Sequence, residues 1–264
     1  MIRRIFPILL LPFAAWAQDK TADLSGSQAG LKAIEAMNKL KGFHIEMDVE
    51  SPQYKGKYSG LVKTDGAAVG GSTDLWARKG QIMAKDRNGK IVPLAQLGAG
   101  SDELKAARAF RNPADMILEI ETACNQARQE AQEIEKLEGV DCRKARIDLR
   151  PDQKEAVIKS LFGGTSGGAA GIPIPNPESM LNIPETTVQY IVWIGIEDLR
   201  IRKLTFEIKP VPKKGVPRGF GAPGMGPQVD PAQWTYHAAL KLAKYDEELD
   251  WKIPKEVSQK LGIK

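Results

Sequence analysis

The chain has 264 residues, 42% hydrophobic and 27% charged, with 25 Gly, 17 Pro, two Cys and two His. That length can bury a core without covalent staples, and the composition excludes a disordered chain, a collagen and a disulfide-dense mini-protein. Two His and two Cys leave little for an all-protein metal cage, and a formal net charge of +5 is too mild to argue for nucleic acid.

Residues 1–17 read MIRRIFPILLLPFAAWA. Arg3 and Arg4 give a positive start, Ile5 to Phe13 a short apolar run, and Ala15-Trp16-Ala17 a small-residue cleavage signal. The pattern predicts a secretory signal peptide cut after Ala17, with residues 18–264 forming a single domain in the periplasm or outside the cell. The apolar run is short for a bilayer span, although an N-terminal anchor is the competing reading. Export makes a disulfide between Cys124 and Cys142 the default expectation, against two free buried thiols. The 17 residues between them would close a loop stabilising by roughly 3 kcal/mol.

In chain order, Leu31, Ile34, Met37 and Leu40 predict a helix over Ser27–Lys41, with Gly42 as its stop. Phe43, Ile45, Met47 and Val49 then alternate with His44, Glu46, Asp48 and Glu50, a half-buried strand. Strands follow at Tyr58–Thr64, Asp74–Arg78, Gln81–Lys85 and Lys90–Pro93, with turns at Lys79-Gly80 and Asn88-Gly89, as in an antiparallel meander. Ser101 is positioned to cap a helix to Phe110, and Asn112-Pro113 to open another ending near Gln129. Gln132–Leu137, a Glu138-Gly139 turn and Val140–Leu149 read as a hairpin, then Asp152–Phe162 as a helix. Gly163–Pro177 and Pro210–Pro231 are too rich in Gly and Pro for regular structure. Between and after them, Val188 to Ile194, Leu204 to Ile208 and Trp234 to Leu242 alternate as strands, and a short helix closes the chain.

Two motif matches fail on context. Gly164-Thr165-Ser166-Gly167-Gly168 fits G-x-S-x-G but follows a helix and enters a loop, and His237 sits mid-strand on the polar face. Gly219-Phe220-Gly221-Ala222-Pro223-Gly224 fits G-x-G-x-x-G but opens no helix. Glu130, Glu133, Glu135 and Glu138 read as a solvated face, and His44 and His237 as outward strand residues. No catalytic constellation, metal set or cofactor motif stands out.

The predicted fold class is α+β. An apolar face repeated on so many strands needs cover, and Phe43, Ile45, Met47, Val49, Tyr190, Val192, Leu204, Phe206, Trp234 and Tyr236 fall on it. Alternation alone favours a plain packed core over a hollow one.

The order of segments "LKAIEAMNKLKGFHIEMDV", "LEGVDCRKARIDL", "VQYIVWIGIEDLRIRKLTFEI" and "YDEELDWKIPKEV" resembles the LolA-like superfamily, including its LppX/LprG-like carriers. Trp193 with Ile194–Arg200, and Tyr245, Asp246, Asp250, Ile253 and Pro254, carry that likeness. The resemblance implies an incurved, mostly antiparallel half-barrel with helices covering its concave face. It implies a non-catalytic carrier of lipid or lipoprotein acyl chains in the bacterial envelope, with the ten residues above as cavity wall and only peripheral or transient membrane contact. It departs from the lipid-anchored relatives in having no Cys in the signal segment. The alternative on the same fold is an envelope interaction or sensory module holding a partner protein and no lipid.

Overall fold

The alternating stretches pair into one antiparallel sheet of eleven strands. The computed structural model describes residues 26–63, 68–70, 75–98, 100–124, 133–162, 177–215, 230–247 and 253–263. The expected signal segment, both refused motifs, Glu130, Asp250 and most of the two Gly/Pro loops lie outside them.

Helix α1 (Gly26–Asn38) leads into β1 (Gly42–Ser51), so Gly42 opens the strand. The meander continues through β2 (Tyr54–Lys63), β3 (Ala68–Gly70), β4 (Leu75–Arg78), β5 (Gln81–Lys85) and β6 (Ile91–Pro93). Helices α2 (Asp102–Ala109) and α3 (Pro113–Cys124) follow, then β7 (Glu133–Leu137), β8 (Val140–Asp148), α4 (Pro151–Phe162) and the short α5 (Pro177–Met180). Strands β9 (Thr187–Gly195), β10 (Ile201–Lys209) and β11 (Tyr236–Ala243) precede the C-terminal α6 (Lys255–Leu261).

Across the sheet the order is β6-β5-β4-β3-β2-β1-β11-β10-β9-β8-β7. Each half is a run of chain neighbours, and the β1–β11 pair joins the halves. The turns follow local chemistry. Lys79-Gly80 and Glu138-Gly139 both hold positive φ at both positions, the geometry that two-residue hairpins need. Ser101 Oγ accepts the Leu104 N–H, and Asn112 Oδ1 accepts the Ala114 N–H, so α2 and α3 begin on the residues that can cap them.

The register makes the inward face continuous. Tyr58, Met47, Leu240, Leu204, Val192 and Ala145 lie in one row across six strands. Val49, Ala238, Phe206, Tyr190 and Ile147 form the next. The sheet is incurved and open. Its concave face carries α1 through Ile34 and Met37, α2 through Leu104, α3 through Met116 and Ile120, and α4 through Ile158 and Phe162, in one apolar cluster. A smaller cluster lies on the convex side, where Val257 and Leu261 of α6 pack on Trp76 of β4 and Met83 of β5.

The expected disulfide does not form. Cys124 and Cys142 are both buried and both free. Cys124 ends α3 on the concave side, where it joins the main cluster. On β8, Ile147 is in the main cluster and Ala145 pairs with the inward Val192, so strand alternation turns Cys142 to the convex side. The sheet therefore separates the two thiols. The other differences are local. Strand β3 and helix α5 occupy stretches without a periodic signal, and Trp234 caps a 3-10 turn (Pro231–Gln233) ahead of β11; the expected helix end near Gln129 lies outside the described residues.

Candidate functional site: the concave face and its helical cover

Ten residues were expected on the wall of the concave face, and the structure brings all ten together. Phe43, Ile45, Met47 and Val49 come from β1, Tyr190 and Val192 from β9, Leu204 and Phe206 from β10, and Tyr236 from β11. Trp234 joins them from the turn before β11. Each is 3% exposed or less, and all belong to the main cluster. They face α1–α4 in van der Waals packing. Aromatic contacts knit the wall: Tyr190 lies 4.7 Å from Phe206, Phe206 5.8 Å from Tyr236, and Trp234 stacks on Phe162 of α4 at 5.9 Å.

Three tyrosines of the sheet hydrogen-bond to the helical cover. Tyr58 on β2 donates to the Ala106 carbonyl at 2.7 Å, and Tyr236 on β11 donates to the Ala109 carbonyl at 2.7 Å, both in α2. Tyr190 on β9 donates to the Glu119 carboxylate on α3. A buried phenol has to find an acceptor, and here each finds one on the cover. Burial raises all three phenols above their ordinary value, so they remain donors through the physiological range.

Sequence reasoning missed the charged pair at the centre of this arrangement. Arg111, in the link between α2 and α3, makes a close ion pair with Glu119. Its guanidinium lies 4.5 Å from the centre of the Phe206 ring, and Nη1 is 3.5 Å from the Tyr190 hydroxyl. The Arg111 side chain is 10% exposed and that of Glu119 33%. Burial alone would lower the Arg111 value, but facing Tyr190 and Glu119 more than reverses this, and the guanidinium stays charged. A lone arginine between two helices carries no pattern. The readable hint was Tyr190, a phenol placed on an apolar face and therefore in need of a partner.

Of the residues that carried the family likeness, Trp193 lies on the other side of the sheet, Ile194 is in the main cluster, and Tyr245 packs against that cluster at the end of β11, 6.5 Å from the Phe43 ring. The Trp193 indole N–H donates to Glu135 at 2.9 Å, with Lys203 Nζ 4.4 Å from its ring centre. The Tyr245 hydroxyl donates to the carbonyls of Ile201 and Leu242, and its ring lies beneath Arg200 and Arg202 at 5.1 and 5.0 Å. Asp246 accepts the Lys41 N–H at 2.6 Å, which ties the end of β11 to the start of β1. These contacts brace strand ends. They border a groove of about 970 Å³, lined by His44, Lys203, Lys241 and Glu138 among others. His44 and His237 are outward, as expected. Glu133, Glu135 and Glu138 pair with Lys144, Trp193 and Lys241, so they serve the convex surface.

Among the described residues, no group of three or more His, Cys, Asp or Glu side chains is placed to hold a metal. No helix there is long and apolar enough to cross a membrane.

No protein-family model matches this sequence, and no curated protein matches it. Solved structures do. The chain is similar to the Mycobacterium tuberculosis lipoprotein LppX, with 13% identity over 86% of this chain and 98% of that one and a TM-score of 0.46. It is similar to LprF from Mycobacterium bovis, with 11% identity over 87% and 96% of the two chains and a TM-score of 0.43. It is also similar to a domain from Vibrio parahaemolyticus assigned to outer-membrane lipoprotein sorting, with 12% identity over 89% and 97% and a TM-score of 0.34. The architecture seen here, an incurved antiparallel sheet with helices on its concave face, is the one that the sequence resemblance to the LolA-like superfamily implied.

Proposed function

We propose that this protein is an exported, non-catalytic carrier or binder of acyl chains, from lipids or lipoproteins, in the bacterial envelope. One observation carries the reading. Five neighbouring strands present unbroken apolar rows on a concave surface, and separate helices cover that surface. A chain inserted between cover and sheet would gain about 0.8 kcal/mol per buried methylene. In chain order α2 and α3 stand between β6 and β7, the two edge strands of the sheet.

The tight burial of all ten wall residues favours a second reading, a packed interaction module with no cargo. Native mass spectrometry and solvent extraction of the purified protein, with titration of a fluorescent fatty acid, separate the two. Co-purifying lipid or saturable fatty-acid binding is expected. A protein that carries no lipid and binds no fatty acid would leave the module reading standing alone.

A further inference from the structure

Glu119 sits in an unusual place for a carboxylate. Two donors from different parts of the fold converge on it, Arg111 from the α2–α3 link and Tyr190 from β9. Arg111 is held there by Phe206, which Tyr190 and Tyr236 flank. The result is a charged two-donor pocket set into an otherwise apolar wall. An Arg guanidinium with a second donor suits a carboxylate or a phosphate.

The parts of this pocket lie on two sides of a helix boundary. Arg111 follows directly on α2, which Tyr58 and Tyr236 bind to the sheet. Glu119 lies beyond Asn112-Pro113, in the second turn of α3, next to Leu118, which is 55% exposed. The donors and the acceptor thus come from different elements, and because Met116 and Ile120 hold α3 in the core, it is the part-exposed Glu119 side chain that has to swing away. Withdrawal of Glu119 would leave a buried arginine unpaired, a strongly unfavourable state unless another anion arrives.

We propose that Glu119 holds the place of a ligand head group, and that the cargo is an acidic amphiphile. An anionic carboxylate or phosphate monoester at the end of an apolar chain replaces Glu119 on Arg111 and Tyr190, while the chain lies along the inward rows. This rests on the acyl-chain reading and specifies its ligand.

The test is displacement of the neutral dye N-phenylnaphthylamine at pH 7.5 by hexadecanoate, hexadecyl phosphate or methyl hexadecanoate, each below its micelle concentration. At least one of the two anions is expected to bind about tenfold or more tighter than the ester. The tighter anion identifies the head group as carboxylate or phosphate. Glu119→Gln, which loosens the internal competitor, should increase that preference, and Tyr190→Phe should reduce it. The double variant Arg111→Met/Glu119→Met removes both charges together, and should bind the ester as before while losing the preference. Equal binding of acid and ester by the unaltered protein, or a preference that survives in the double variant or is unchanged in Tyr190→Phe, overturns the head-group site and leaves the acyl-chain reading intact. Failure of all three compounds to displace the dye overturns both.

Discussion

The Tyr236 hydroxyl on β11 donates to the Ala109 carbonyl at the end of α2, across a separation of 127 residues and a distance of 2.7 Å. The bond lies in the buried interior and fixes the last turn of α2 to the middle of the sheet. Tyr58 makes a bond of the same length to Ala106 three residues earlier.

Removing either hydroxyl should loosen the cover. Tyr236→Phe is expected to cost about 1–2 kcal/mol, the usual range for a buried bond whose acceptor is left behind. Tyr58→Phe should cost less, because the Ala106 carbonyl also accepts the Phe110 N–H at 3.0 Å. Denaturant titration ranks the two, and amide exchange should rise first in α2.

Helices α1 and α3 meet at Gly30. A Cβ there would lie 2.6 Å from Cys124 Sγ. Gly30→Ala would otherwise gain from helix propensity, by about 0.5–1 kcal/mol. The overlap should outweigh that, for a net loss of stability in thermal unfolding. Adding Cys124→Ala should recover most of the loss, and a double-mutant cycle would show the coupling.

Thiol counting tests the separation of the cysteines directly. Two reactive thiols should appear when the protein purified without reductant is unfolded, where a disulfide would give none. In the folded protein burial pushes the Cys124 thiol up to about 11. Alkylation of Cys124 at pH 8 should therefore be slow, and should accelerate only as the pH approaches that value.

One arginine adds a polar tie to the apolar packing of the C-terminal helix. Arg78 of β4 donates from Nη1 to the Leu261 carbonyl at 3.1 Å and to the Gly262 carbonyl. Gly262 is left-handed there, with φ of 62°. Arg78→Ala should free α6 and expose Val257 and Trp76, which are now buried. Exchange of α6 amides should rise several-fold while those of β9 and β10 stay protected.

Much of this fold was legible because period-two alternation is strict wherever one face of a strand is buried. The stretch read as Phe43–Glu50 forms β1 with one further residue at each end. Glu138-Gly139 and Lys79-Gly80 were readable because two-residue hairpin turns need positive φ, which glycine supplies at the second position. Strand β3 was not, since Ala68-Val69-Gly70 offers neither length nor pattern and gains its place by pairing with β2 and β4. The expected disulfide rests on compartment and cysteine count, neither of which says which face of a sheet a cysteine occupies. The wall residues were legible as a face. The ion pair among them was not, because Arg111 and Glu119 meet Tyr190 only after the chain has returned as β9.

The position of Cys142 behind the sheet has a mechanical consequence. With Cys124 on the cover and Cys142 on the far side, no covalent bond ties α3 to the strand beneath it. What restrains the cover against the sheet is packing and a few hydrogen bonds, all of which can break and re-form without a redox partner. Any opening of this interior would accordingly need no redox step, in oxidising and reducing surroundings alike, and under the proposed function a ligand would shift it only by its own affinity.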